Sequence, residues 1–219
     1  MEIIAPEAEE YVSSLTSSED DLLKEIAADT IRNHPEHHML SGQVQGRFLQ
    51  MISCMIRPRR ILEIGTFTGY SAVCLAKGLE KEGKLHTIER READADKAEQ
   101  FFQKGGLSGK IILHRGKAAE IIPALQENWD LVFIDADKTG YIEYFNLVFP
   151  HLKENGFILA DNIFFHGQVL AGEIKGKNAK AIAAFNQFIR ERNDIDKVAL
   201  TLRDGLYLIR KHQLSDAKA

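Results

Sequence analysis

The sequence lacks the features that mark disulfide-rich, membrane and secreted proteins. Its 219 residues include only two cysteines, Cys54 and Cys74, and neither has a second cysteine or a histidine at metal-binding spacing. This scarcity excludes a disulfide framework and predicts two buried thiols in a reducing cytoplasm. No segment approaches the roughly 20 apolar residues of a membrane span. The first residues lack the basic and apolar regions of a signal peptide, so we expect a cytoplasmic protein that does not contact membranes.

A large excess of charge is also missing. The 28 basic and 32 acidic residues leave a formal net charge of −4, which provides no general attraction for nucleic acid or an anionic membrane. This balance argues against nucleic acid as a partner, although it does not exclude a local basic patch. The content of 44% hydrophobic and 27% charged residues is ordinary for a soluble enzyme, and the length suits one α/β domain.

Short apolar segments alternate with helical patterns from residue 60 onwards. Helical periodicity separates the predicted strands, which cover residues 60–64, 85–89, 110–114, 130–135 and 156–161. Two further apolar segments flank Asp204-Gly205, a dipeptide typical of hairpin turns. This alternation predicts an α/β fold, with a mostly parallel sheet between two layers of helices and an antiparallel hairpin at the C-terminus.

The first 58 residues follow a purely helical pattern. Apolar residues at helical spacing predict helices within residues 7–33 and a further helix over 44–55. Within residues 7–33, Ser17 or Ser18 is the predicted N-cap of the helix that begins near Glu19. We therefore expect a single domain over residues 1–219. It comprises an N-terminal helical arm (1–58) and a Rossmann-like core (59–211).

A glycine-rich turn follows the first predicted strand, in the segment from Glu63 to Ser71. It does not have the G-x-G-x-x-G spacing of a dinucleotide-binding turn, which argues against NAD. The carboxylate of Glu63 would repel a pyrophosphate, whereas it would attract an ammonium or sulfonium group. S-adenosylmethionine carries both cations. A tight turn that only reverses the chain remains the alternative.

Glu89 ends the second predicted strand, at the edge of the sheet where ligands of such folds bind. An acid at this position can accept hydrogen bonds from both hydroxyls of a ribose. The alternative is a surface acid that pairs with Arg90 or Arg91. Because NAD and S-adenosylmethionine both contain ribose, Glu89 does not distinguish between them.

Oxygen-bearing side chains follow the fourth and fifth predicted strands. Asp135 ends one strand, and Asp161-Asn162 ends the other. Ligands that are all oxygen suit a hard cation such as Mg²⁺ or Ca²⁺ rather than zinc. Either site alone is more often a helix cap, but the pair on adjacent strands predicts a metal site.

Three segments together carry a family resemblance: Glu63 to Ser71, Phe133 to Lys138, and Asp161-Asn162. They resemble the cation-dependent O-methyltransferases that use S-adenosylmethionine, a family that includes catechol and caffeoyl-coenzyme A O-methyltransferases and bacterial relatives. The resemblance runs from about residue 12 to residue 211. It implies the class I methyltransferase fold, a Rossmann-like sheet of seven mostly parallel strands, and usually a homodimer to which the N-terminal arm contributes.

The resemblance also implies roles for individual residues. The implied cofactors are S-adenosylmethionine and Mg²⁺, with Ca²⁺ or Mn²⁺ as alternatives. The residues implied to bind S-adenosylmethionine are Ser41, Glu63, Gly65, Thr66, Ser71, Glu89, Arg90, Ala118 and Asp135. The implied metal ligands are Asp135, Asp161 and Asn162. The residues implied to contact the substrate are His38, Met39, Lys138 and Asn162.

The sequence departs from the family pattern at two positions. Lys117 stands where many members have an acid, and Gln45 stands where plant members tend to have glutamate. A side-chain contact of residue 117 with adenine is therefore less plausible than a backbone contact.

The expected activity is methyl transfer to one of two vicinal hydroxyls on a small phenolic substrate. Lys138 is the candidate base, because a nearby metal charge would depress the pKa of its amine. Alternatively it pairs with Asp137 or another acid, or steadies the phenolate as a cation. Three alternative functions stay open: methylation of a hydroxylated uridine in transfer RNA, an NAD-dependent oxidoreductase, and a non-catalytic protein on the same fold.

Overall fold

The computed structural model describes residues 3–213, and a single mixed sheet forms its centre. The seven strands are β1 (Arg60–Ile64), β2 (Lys84–Glu89), β3 (Ile111–Arg115), β4 (Trp129–Ile134), β5 (Leu152–Asp161), β6 (Ile195–Leu200) and β7 (Leu206–Lys211). Their order is β3-β2-β1-β4-β5-β7-β6. Strands β1 to β5 pair in parallel, and β7 runs antiparallel to both β5 and β6. The predicted fold class and terminal hairpin are confirmed.

Helices cover both faces of this sheet. They are α1 (Pro6–Leu15), α2 (Asp21–Asn33), α3 (Gly42–Ile56), α4 (Tyr70–Ala76), α5 (Glu92–Lys104), α6 (Ala118–Ile121), α7 (Tyr141–Val148) and α8 (Lys177–Glu191). Short 3₁₀ turns lie at His37–Met39, Ile122–Ala124, Lys138–Gly140, Phe149–His151 and Gln168–Leu170. Apolar residues of α2 to α5 form one buried core with the sheet, and those of α6 to α8 form a second core on the other face.

The side chains of β1 alternate between the two faces of the sheet, so this strand contributes to both cores. Ile61 belongs to the first core, whereas Leu62 and Ile64 belong to the second. The chain leaves β1 towards β2 on one side and returns to β4 on the other, so the order of strands switches direction at β1. In open α/β sheets, ligands bind beyond the carboxyl ends of the strands at this switch point.

Some predicted boundaries and one burial prediction were wrong. Asp20, not Ser17 or Ser18, caps α2, because its carboxylate lies next to the first turn and accepts a hydrogen bond from the Leu23 amide at 3.0 Å. Helical periodicity predicts a helix over residues 118–126, but the helix ends at residue 121 and continues as a 3₁₀ turn through Pro123, which lacks an amide hydrogen. Cys74 is buried, but Cys54 lies on the exposed side of α3.

Strand β5 begins four residues earlier than the sequence predicted. Asn155-Gly156 has the composition of a turn, but it lies inside the strand. The register between β4 and β5 shifts there, and Asn155 has a φ of 58°. Such a bulge accommodates extra residues without ending the strand.

A search of the helices in residues 3–213 finds none that combines the length and the apolar character needed to cross a membrane.

Candidate active site

The turn after β1 brings two strand ends into direct contact. Gly65 has a φ of 102°, and a Cβ atom built on it would lie 1.9 Å from the carbonyl oxygen of Asp135. Only glycine fits this position without moving one strand away from the other. The ends of β1 and β4 are also joined by a hydrogen bond from the Asp135 amide to the Ile64 carbonyl at 2.9 Å. The backbone itself therefore fixes the distance between the residues that follow the two strands.

Glu63 is a fully buried acid beneath this turn. Burial raises the pKa of its carboxyl to about 8, although hydroxyls of Ser71 and Thr87 oppose this, and the carboxylates of Asp135 and Glu89 raise it further. Thr87 donates to Oε2, whereas Oε1 has no hydrogen-bond partner in residues 3–213. A buried carboxylate oxygen without a partner is costly unless a ligand supplies a donor.

Glu89 lies at the end of β2 and is only 7% exposed. Its Oε2 accepts a hydrogen bond from the Phe67 amide at 2.8 Å, and its Oε1 accepts one from the Arg91 amide at 2.9 Å. These bonds hold the carboxylate against the glycine turn, and each oxygen keeps a lone pair for another donor. Glu89 is therefore buried at the site edge and not on the surface, although its Oε1 also lies 3.8 Å from Arg91 Nε, one of the two pairings predicted as the alternative.

The other candidate cofactor residues differ in the element that carries them and in exposure. Ser41 precedes α3, Ser71 lies in the first turn of α4, and both are buried. Thr66 is buried and shares a hydrogen bond with the Thr87 hydroxyl. Ala118 begins α6 and is buried, whereas Arg90 follows β2 and is exposed. Their roles stay predictions.

The oxygen-bearing side chains of β4 and β5 converge on the ammonium group of Lys138. Its Nζ donates to Asp135 Oδ1 at 3.0 Å and to Asn162 Oδ1 at 2.6 Å. Burial opposes the charge of Lys138, but the Tyr141 hydroxyl and the carboxylates of Asp135 and Asp161 outweigh it and raise its pKa above the usual value. A cation thus already stands among these oxygens. Of the pairings considered for Lys138, the structure shows Asp135 and not Asp137.

Asp161 is held from two sides at the end of β5. Its Oδ2 accepts a hydrogen bond from Gln45 Nε2 at 2.7 Å, and its Oδ1 accepts one from the Asn162 amide at 2.8 Å. Burial and the charge of Asp135 raise the pKa of Asp161, whereas Lys138 opposes this. Asn162 has a φ of 57°, a left-handed conformation that asparagine tolerates better than most residues.

The donor set tests whether a metal fits. In the described chain, no group of three or more His, Cys, Asp and Glu side chains is placed to hold a metal ion. The candidate set instead consists of two carboxylates and one amide oxygen. All three are hard oxygen ligands, and a set this small leaves room for water or substrate oxygens, as Mg²⁺ prefers. The residues therefore fit a hard divalent cation.

Four residues of the site were not predicted as site residues. The ring of Tyr141 is buried, and its hydroxyl lies between Lys138 Nζ, at 2.8 Å, and the Asp161 carbonyl oxygen, at 3.1 Å. Asp204 accepts a hydrogen bond from Asn162 Nδ2 at 3.2 Å, and Arg203 donates to Gln45 Oε1 at 3.2 Å. No local sequence pattern predicts these contacts. The topology does predict them in part, because the turn between β6 and β7 lies beside the end of β5, where Asp161 and Asn162 lie.

The predicted substrate residues His38 and Met39 lie in the 3₁₀ turn before α3. Both are exposed, and Met39 retains 38% of its surface. The nearby His34 is instead bonded to Asp94 at 3.0 Å and packs on the Phe67 ring, beside the glycine turn. The His38 carbonyl accepts a hydrogen bond from Arg203 at 3.5 Å, so the turn lies next to the residues around Asp161, and the roles of His38 and Met39 stay predictions.

Known proteins resemble this chain over nearly its whole length. The profile of a family described as O-methyltransferase matches residues 13–212. The catechol O-methyltransferase of Niastella koreensis is 31% identical over 196 residues, which cover 88% of this chain and 88% of that protein. A probable caffeoyl-CoA O-methyltransferase of Dictyostelium discoideum is 32% identical over 197 residues, covering 87% of this chain and 86% of that protein.

A solved structure extends the likeness to three dimensions. The O-methyltransferase TomG of Streptomyces achromogenes, in complex with S-adenosylmethionine, matches with a TM-score of 0.84 and 29% identity. The match covers 93% of this chain and 95% of that chain. Both the helical arm and the sheet are therefore included in the likeness.

Proposed function

The chain belongs to the O-methyltransferase family, and from this premise we propose that it methylates one of two vicinal hydroxyls on a small catechol-like substrate with the help of a divalent cation. As a member of this family it is an S-adenosylmethionine-dependent O-methyltransferase. The observation that carries the proposal is that Asp135 and Asn162 both accept hydrogen bonds from the buried ammonium of Lys138, with Asp161 bonded to the Asn162 amide and the half-satisfied Glu63 on the neighbouring strand.

Glu63 supports a cationic methyl donor. Its Oε1 has no partner in the described chain, and its carboxyl keeps a proton at neutral pH because burial raises its pKa to about 8. An ammonium group at this oxygen would favour the charged carboxylate and satisfy it. We propose that Glu63 binds the positively charged end of S-adenosylmethionine and that Glu89 binds its ribose.

The oxygens now bonded to Lys138 support a metal-assisted acceptor site. We propose that Asp135, Asp161 and Asn162 hold the cation. A divalent ion there would lower the pKa of an acceptor hydroxyl and direct its approach. Because Gly65 packs against the Asp135 carbonyl, a cation held by Asp135 would lie close to a methyl donor bound at Glu63, and orientation of two bound reactants can contribute about 7–11 kcal/mol.

Lys138 is the proposed base. Its Nζ is buried within hydrogen-bond distance of Asn162 and Tyr141, where the acceptor hydroxyl would lie. In this structure the neighbouring oxygens outweigh burial and raise the pKa of Lys138, contrary to the lowered pKa that the sequence predicts beside a metal. This nitrogen could therefore take the proton of that hydroxyl only where a cation replaces it at Asp135 and Asn162. If Lys138 stays charged, it stabilises the oxygen anion instead, and the two roles predict different pH profiles for methyl transfer.

The experiment is methyl transfer from labelled S-adenosylmethionine to a set of catechols, including caffeic acid, with Mg²⁺ and with a chelator. We expect transfer that stops with chelator and returns with excess Mg²⁺. Transfer that persists with chelator would contradict the role of the metal. No transfer to any catechol, while S-adenosylmethionine still binds, would contradict the small phenolic substrate and make hydroxylated transfer RNA the next substrate to test.

We also propose that the chain forms a homodimer to which the N-terminal arm contributes. Helix α1 has no buried residue in the single chain, and its Tyr11 and Leu15 retain 66% and 69% of their surface. A second copy that covers them would explain why this helix carries apolar side chains. Light scattering of the purified protein tests this, and a monomer at micromolar concentration would contradict it.

A further inference from the structure

Arg203 adopts a backbone conformation that its side chain disfavours. It lies in the turn between β6 and β7 with a φ of 48°. For a residue with a Cβ atom, the left-handed conformation costs about 1 kcal/mol or more relative to glycine. Residues held in such conformations cluster at functional sites, where the surrounding structure maintains them. Arg57 has a similar φ but lies away from the site, so the role of Arg203 is inferred from the contacts of its side chain.

The guanidinium of Arg203 is held at the mouth of the site by neutral oxygens. It donates to the side-chain oxygen of Gln45 at 3.2 Å and to the carbonyl oxygen of His38 at 3.5 Å. Gln45 is fully buried and donates in turn to Asp161 at 2.7 Å. The guanidinium is therefore separated from a proposed metal ligand by a single side chain.

No acid lies within ion-pair distance of Arg203 in the described residues, although its charge reaches Asp161 and helps to lower the pKa of that carboxyl, which burial raises. Across residues 3–213 Arg203 forms no salt bridge, and the adjacent Asp204 accepts hydrogen bonds from Asn162 Nδ2, at 3.2 Å, and from the His166 amide, at 2.7 Å. Its two bonds to neutral oxygens use only part of its five donors. A half-buried arginine in this state is suited to a bidentate bond with a carboxylate.

We propose that Arg203 determines acceptor specificity by binding a carboxylate on the catechol-like substrate. The inference rests on the proposed function, because it requires that the two hydroxyls of the substrate bind near Asp161 and Asn162. The rest of the substrate would then extend outwards past Gln45 and would meet the guanidinium, which bonds to Gln45 and to the His38 carbonyl. The substrate class becomes catechols that carry an anionic group, such as dihydroxybenzoates and dihydroxycinnamates.

The chain contains a matched control for this arginine. Arg57, at the C-terminal end of α3, also has a left-handed φ, of 52°, and is exposed. Helix α3 begins near the site at Gly42 and has 15 residues, so Arg57 lies about 20 Å away along it. Arg203→Gly and Arg57→Gly remove the same charge and relieve the same kind of backbone strain.

The experiment compares 3,4-dihydroxybenzoate with its uncharged methyl ester. We expect the ratio of kcat/KM for the acid to that for the ester to fall about 10- to 100-fold in Arg203→Gly, the range for loss of a hydrogen bond to a charged group. Arg57→Gly should keep the wild-type ratio. The ratio for Arg203→Lys should lie between that of the wild type and that of Arg203→Gly. Thermal unfolding should show that neither glycine variant is less stable than the wild type.

Direct binding of the two compounds, measured calorimetrically with Mg²⁺ present, separates this inference from the proposed function. One outcome is that the wild type binds the acid more tightly than the ester, that Arg203→Gly binds the acid less tightly than the wild type, and that neither protein transfers a methyl group. This outcome would support the inference and contradict the proposed function. Equal ratios in Arg203→Gly and Arg57→Gly, or a wild type that prefers the ester, would overturn the inference while methyl transfer stands.

Discussion

The two halves of the site treat their buried carboxylates differently. On the donor side, at the end of β1, Glu63 has one oxygen without a partner, and burial raises the pKa of its carboxyl. On the acceptor side, at the ends of β4 and β5, Asp135 is bonded to the ammonium of Lys138, and Asp161 is bonded to Gln45. On the donor side, Glu63 Oε1 thus needs a hydrogen-bond donor from outside the described residues, and a ligand can give it one. On the acceptor side, the ammonium group of Lys138 already provides a positive charge.

This difference indicates how each half meets its ligand. A cation that arrives at Glu63 gains an ion pair and breaks no hydrogen bond of the described chain. A metal that arrives at Asp135 and Asn162 must displace Lys138, whose Nζ lies 3.0 and 2.6 Å from their oxygens. The same displacement frees the amine that we propose as the base. Each of the predictions below changes one half and leaves the other intact.

The largest effect should follow removal of a metal ligand. Asp161→Ala removes a carboxylate from the acceptor side, and we expect methyl transfer to fall at least about 100-fold and the affinity for Mg²⁺ to fall with it. The affinity for S-adenosylmethionine, measured by calorimetry, should change little. Asp196→Ala, which removes an exposed acid far along the sheet, is the control. If both variants transfer methyl groups at the wild-type rate, the acceptor side is wrongly assigned.

Lys138→Met should separate catalysis from metal binding. We expect transfer to fall about 10²- to 10⁴-fold, the usual contribution of a general base. Mg²⁺ should nevertheless bind more tightly, because the ammonium no longer competes for Asp135 and Asn162. Lys153→Met, which breaks an ion pair with Asp130 at the opposite end of β4, serves as the control. Weaker binding of Mg²⁺ in Lys138→Met would show that the ammonium does not stand in the metal position.

Glu63→Gln tests the donor side with almost no change of shape. We expect the affinity for S-adenosylmethionine to fall about tenfold or more, since a charged hydrogen bond is replaced by a neutral one. Binding of Mg²⁺ should be retained. Glu99→Gln, at an exposed acid of α5, is the matched control. Equal affinities in the two variants would place the cationic end of the donor elsewhere.

The smallest effect concerns stability without ligands. The pKa of Glu63 rises from its usual 4.5 to about 8 on folding, so the folded chain binds more protons than the unfolded chain between these values. Stability should therefore decrease as pH rises from 4.5 through 8, by at most about 1.4 kcal/mol per pH unit for one proton. Urea unfolding at pH 6 and pH 8 measures this slope. Glu63→Gln should reduce it, and an unchanged slope would contradict the raised pKa.

Features that follow from local sequence were predictable. Strands of a parallel sheet end at one edge, so Glu63, Glu89, Asp135 and Asp161 could be placed together from the pattern alone. Gln45, Arg203 and Asp204 could not, because they reach the site through contacts between distant segments. Gln45 and Asp161, for example, are 116 positions apart. The cap of α2 was misplaced because Ser17, Ser18 and Asp20 are all good caps, and only the three-dimensional path of the chain selects one.

The contact between Gly65 and the Asp135 carbonyl bears on how such an enzyme can change over evolution. No side chain can be introduced at position 65 without separating the ends of β1 and β4. A single substitution there would therefore change the distance between the residues that follow these two strands. The residues that would meet the rest of the substrate, by contrast, lie on turns: His38 and Met39 are exposed, and Arg203 is half-buried. Substitutions on these turns can alter which molecule is accepted while the alignment of the reacting groups is inherited unchanged.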